Sequence, residues 1–83
     1  MHAVLEDWKN GWFGLQLGVA PEEIDRFIVL LQSLKADPDQ HFHISSDNKG
    51  TGGIGDVEVF VKEANLPHNL FLSGLALGPS SEA

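Results

Sequence analysis

Cysteine is absent from the 83 residues, which excludes disulfides, thiolate metal centres and a cysteine nucleophile. The same absence fits a reducing compartment, so a cytoplasmic location is expected. Basic residues are scarce: five Lys and Arg stand against twelve Asp and Glu, for a formal net charge of -7. Phosphate backbones and anionic bilayers are therefore disfavoured, and neither a nucleic acid nor a membrane is expected as partner. A basic protein surface is favoured instead. No apolar run reaches the roughly 20 residues of a membrane-spanning helix, and residues 1–7 lack the basic opening of a signal peptide.

What is present is globular in character. Hydrophobic residues make up 42% of the chain and charged ones 20%, values that suit one small packed unit. Residues 1–78 read as a single α+β domain and residues 79–83 as a mobile tail, since Gly78 and Pro79 break the last apolar run.

The strongest periodic signal predicts a helix over residues 21–35. Ile24, Phe27, Ile28, Leu31 and Leu34 recur at the spacing of one helical face. Pro21 suits the first helical position, and Glu22, Glu23 and Asp25 place negative charge near the positive end of the helix dipole. Asp37-Pro38 ends the segment, because the residue before proline is pushed out of the α region.

Strands are predicted on both sides. Residues 3–8 and 12–19 form a hairpin through a tight Asn10-Gly11 turn, with Phe13, Leu15, Leu17 and Val19 facing inward. That turn also brings Trp8, Glu6 and Val4 to the inner side, which suits Glu6 badly unless a bulge re-aims the strand. Residues 40–46, 56–63 and 70–77 supply three more strands. The expected architecture is β-β-α-β-β-β, a mostly antiparallel five-stranded sheet with one helix packed on one face. One helix covers one face of such a sheet, so the other face is open.

Several residues carry candidate chemistry. His41 and His43 stand two apart on a strand and so share a face, at a spacing that suits a common metal ion. Glu58, His68 or His2 are the available third ligands. The plain alternative is a pair of solvent-facing histidines on a recognition surface. Gly50-Thr51-Gly52-Gly53-Ile54-Gly55 matches the dinucleotide fingerprint in letters only, because a strand follows where a helix is needed. No serine sits in a nucleophile elbow, and an enzyme is not expected. No cofactor is expected either. Trp12 and Phe60 fall on the open face, where large aromatics mark a contact surface. The candidate binding surface is thus Trp12, His41, His43, Glu58 and Phe60, with the 47–55 loop beside it.

The runs Trp12-Phe13-Gly14-Leu15-Gln16-Leu17, Glu22-Glu23-Ile24-Asp25-Arg26, Asp39-Gln40-His41-Phe42-His43-Ile44 and Gly52-Gly53-Ile54-Gly55-Asp56-Val57-Glu58-Val59 follow one another in the chain. In this order they resemble a family of small acidic bacterial α+β proteins, similar in part to the immunity proteins of polymorphic toxin systems. The resemblance spans residues 12–78 and brings no catalytic residue. It implies a cytoplasmic binder that blocks a toxin. Three readings follow: a non-enzymatic protein-binding domain of immunity type, a metal-binding domain using His41 and His43, or a homo-oligomeric structural domain, with a homodimer as the simplest form of self-association.

Overall fold

The computed structural model describes residues 1–75. Five elements follow in order: β1 (His2–Asp7), β2 (Phe13–Gly18), α1 (Pro21–Ala36), β3 (His41–Ser45) and β4 (Asp56–Phe60). β1 pairs with β2 and β3 with β4, both antiparallel, and the two hairpins are separate sheets. Among the described residues the expected five-stranded sheet is not formed. Alternation along a segment specifies a strand but not its neighbour, and here each strand finds only its hairpin partner. Residues 70–75 carry no strand, and the rest of the expected fifth strand and the 79–83 tail lie outside the described residues.

The helix ends where local chemistry dictates. The Ala20 carbonyl accepts from the Glu23 and Ile24 N–H groups. Ala20 has no side-chain acceptor, but Glu23 Oε1 reaches back to the Ala20 N–H at 3.1 Å, which makes half of a capping box. At the far end the Asp37 N–H donates to the Ser33 carbonyl at 2.9 Å, and Asp37 Oδ1 accepts from the Asp39 N–H.

The helix turns a different side inward than its strongest stripe suggests. Phe27 and Leu30 are half-buried and Leu34 is buried, whereas Ile24, Ile28 and Leu31 each keep nearly half of their surface exposed. The inward row lies over the inner face of the second hairpin, whose Phe42, Ile44, Val57 and Val59 are half-buried. Phe27 and Phe42 meet edge to face, with ring centroids 5.8 Å apart, a favoured aromatic geometry. A two-stranded ribbon is narrower than the sheet expected from sequence, so it covers only a narrow strip of the helix. The packing there is open. A hollow of about 500 Å³ between helix and hairpin is lined by residues including Arg26, Phe27, Leu30, Phe42 and Ile54.

The first hairpin corrects the predicted register. Asp7 pairs with Phe13, Leu5 with Leu15 and Ala3 with Leu17, one residue away from the pairing that an Asn10-Gly11 turn imposes. The loop is longer than two residues. Lys9 and Gly11 hold positive φ, and the Lys9 and Trp12 N–H groups donate to the side chains of Asp7 and Asn10. Because side chains alternate, this slip moves Glu6 to the face opposite Leu5 and Leu15. There Gln16 Nε2 donates to Glu6 Oε1. Trp8 lies over Gly14 on the same side: a Cβ at Gly14 would come within 2.8 Å of Trp8 Cζ2. The misplaced Glu6 is thus resolved by register rather than by a bulge.

Burial is sparse throughout. Among the described residues Leu34, at 6% exposure, is the one buried apolar residue. Leu5 and Leu15 remain 60% and 51% exposed, and Phe71 80%. Phe13, Leu15 and Leu17, expected inside, stay more than a third exposed.

Candidate functional site

The second hairpin presents the polar residues. Its register places His41 opposite Phe60, His43 opposite Glu58 and Ser45 opposite Asp56. With Phe42, Ile44, Val57 and Val59 turned to the helix, the alternation sends these six side chains to the outer face. That face is exposed along its length.

His43 is the centre of the cluster. Its Nδ1 lies 2.9 Å from Asp56 Oδ2 and 3.1 Å from Oδ1, and its Nε2 lies 3.6 Å from Glu58 Oε1. The Ser45 hydroxyl donates to Asp56 Oδ1 at 2.7 Å. These two donors, Ser45 first and then His43, hold the Asp56 carboxyl below the usual aspartate range by stabilising its ionised form. The His41 ring stands nearly perpendicular to that of His43, at 82°, with centroids 5.0 Å apart. One ligand atom from each of His41, His43 and Glu58 lies within 4.8 Å of the others.

Chemically this is a donor set with an orienting partner. A neutral imidazole that donates Nδ1–H to Asp56 presents the Nε2 lone pair on the side of Glu58. Of the third ligands open at the sequence level, the fold brings Glu58 to the pair. His68 and His2 are not members of the cluster.

His41, His43, Glu58 and Phe60 share the outer face of β3–β4, while Trp12, at 71% exposure, belongs to the loop of the other hairpin. Asp56 is not among the candidate site residues read from the sequence. Its role as partner of His43 follows from the cross-strand register, one pair along from His43↔Glu58, and so from the length of the 46–55 connection.

The 47–55 loop is held by its own polar groups. The Lys49 N–H donates to Asp47 Oδ1 and the Asn48 N–H to Ser46 Oγ, and the Ser46 N–H reaches the Gly55 carbonyl at 2.9 Å. Gly50 takes φ +90, a region that L side chains rarely adopt. The glycine run joins two strands, so no helix follows it as the dinucleotide fingerprint requires.

No family model, no curated protein and no solved structure matches this chain. Among the described residues no helix is long and apolar enough to cross a membrane.

Proposed function

We propose that this chain is a non-enzymatic, cytoplasmic protein-binding domain that completes its packing against another protein surface. The observation that carries this reading is the uncovered apolar area. Leu5 and Leu15 keep 60% and 51% of their surface exposed, and Ile24, Ile28 and Leu31 nearly half each. Contiguous exposed apolar faces of this kind mark a contact surface.

The exposed groups are arranged for such a role. Leu5 and Leu15 oppose each other on β1–β2, and Ile24, Ile28 and Leu31 form an apolar row along α1. These faces would supply affinity through burial. The outer face of β3–β4, with His41, His43, Glu58 and Phe60, and Trp12 on the other hairpin would set the choice of partner through polar and aromatic contacts. The net charge of -7 favours a basic partner. An immunity-type inhibitor seated on a bacterial toxin is the form implied by the resemblance of the 12–17, 22–26, 39–44 and 52–59 segments.

Without that partner the same apolar faces pair with copies of the chain. Sedimentation equilibrium of the purified protein tests this. The expected result is a mass above 9.0 kDa that rises with concentration, and a return toward monomer in Leu5→Asp/Leu15→Asp. A monomer at all concentrations, with a sharp and concentration-independent unfolding transition, would contradict the reading.

A further inference from the structure

We propose that His41, His43 and Glu58 bind a divalent transition metal ion of the zinc type, with Asp56 as the residue that positions His43. This goes beyond the association reading and does not depend on it.

The first argument is geometric. Zinc holds nitrogen and oxygen donors at about 2.0–2.2 Å, which places tetrahedral donors about 3.2–3.6 Å from one another. His43 Nε2 and Glu58 Oε1 already stand 3.6 Å apart. The three ligand atoms lie within 4.8 Å of one another, so side-chain rotations that close the remaining distances by about 1 Å suffice. All three residues are exposed and free to make that adjustment. Their backbones are fixed by an antiparallel ladder whose reverse side packs on the helix.

The second argument is electrostatic. Two carboxylates flank one imidazole, Asp56 at Nδ1 and Glu58 at Nε2. A neutral ring has one N–H to offer. When Nδ1–H is given to Asp56, the Nε2 lone pair is directed toward the Glu58 oxygen 3.6 Å away, and a cation shared by the two donors would offset their repulsion. His41 stands on the same side and adds a second nitrogen.

The donor chemistry selects the class of ion. Two imidazoles and one carboxylate suit zinc and its neighbours, whereas magnesium and calcium take oxygen ligands. The set contains no thiolate or thioether for copper(I). Three protein ligands would leave a fourth tetrahedral position for water or another ligand. The carboxylate behind a ligating histidine fixes its tautomer and orientation, and loss of such a partner typically weakens metal binding about 10–100-fold.

Calorimetric titration of zinc chloride into tag-free, chelator-treated protein tests the proposal, with cobalt(II) absorption as a second readout and circular dichroism as the folding control. Wild type is expected to bind one zinc per chain. His41→Ala and His43→Ala each weaken binding at least about 10-fold, and Asp56→Asn about 10-fold with an altered cobalt spectrum and unchanged circular dichroism. His2→Ala and His68→Ala leave binding unchanged. Absence of saturable one-to-one binding overturns the site. Loss of binding in His2→Ala or His68→Ala but not in His43→Ala overturns it too. An Asp56→Asn variant with wild-type affinity and spectrum overturns the positioning role. Zinc binding by a chain that sediments as a monomer would sustain the site while refuting association.

Discussion

The two hairpins are built alike and treated differently by the rest of the chain. Each is an antiparallel pair with apolar residues on alternate positions. In β3–β4 the apolar row is half-buried under the helix, so its polar row becomes a defined outer face. In β1–β2 the apolar row, Leu5 with Leu15 and Phe13 beside them, lies open. A hairpin is marginal on its own and needs a cover for its hydrophobic face. The helix lies over the apolar row of the second hairpin, whereas of the first hairpin only its start, His2 and Ala3, borders the hollow beside the helix. The difference teaches that the first hairpin is incomplete in the isolated chain, and its missing cover is the argument for a partner.

The largest effect should come from removing what the second hairpin has and the first lacks. Leu34→Ala deletes the one buried apolar side chain among the described residues, and a cost of about 2–4 kcal/mol is expected in urea unfolding. A chain this sparsely packed would then unfold without a sharp transition. Phe42→Ala, which loses the edge-to-face contact with Phe27, should cost about 2 kcal/mol, less than a fully buried ring because Phe42 is half-buried. Leu15→Ala on the open hairpin should cost under about 1 kcal/mol in a dilute monomer and far more in the associated state. Equal losses for Phe42→Ala and Leu15→Ala in the monomer would break the distinction between the hairpins.

Much of the secondary structure was legible because its causes are local. Pro21, the acidic first turn and Asp37-Pro38 bound the helix within a residue or so of its ends. Alternation located four of the five expected strands. The pairing of β1 with β2 was not legible to the residue. Asn10-Gly11 suggests a two-residue turn, but the Asp7 and Asn10 side chains satisfy N–H groups in a longer loop, which shifts every pair by one. The union of the hairpins into one sheet failed for a related reason: neighbouring strands are chosen by non-local packing, which no window of sequence contains. The inward turn of the helix failed with it, since the stripe containing Ile24, Ile28 and Leu31 assumes a broad sheet beneath. The histidine pair was legible from its spacing of two and Glu58 from its strand. Asp56 and Ser45 needed the register.

Two smaller effects sharpen the comparison. Gly14→Ala on the first hairpin sets a methyl against Trp8, and because that ring is exposed it can swing aside. A loss of about 0.5–1 kcal/mol is expected, with a shift in tryptophan emission that reports the displaced ring. The smallest effect concerns Glu23, which ties the start of β1 to the helix. Its carboxylate accepts from the Met1 ammonium at 2.9 Å and from the Ala20 N–H. These contacts, the ammonium first, hold the Glu23 carboxyl below the usual glutamate range. A lowered value in the folded state means stability that is present above the ordinary glutamate value and lost as the pH falls through the folded one. Glu23→Gln should therefore flatten the acid limb of the stability–pH curve slightly. A variant with the wild-type acid limb would show that Glu23 does not link the first hairpin to the helix.

Amide hydrogen exchange, resolved by hairpin and recorded at low and high protein concentration, tests the difference between the two hairpins most directly. β3–β4 should show the same protection at both concentrations, because its cover belongs to its own chain. β1–β2 should exchange fast when dilute and gain protection of at least about tenfold when concentrated. Equal and concentration-independent protection of both hairpins, in a chain shown to be monomeric, would contradict the claim that the first hairpin awaits a partner.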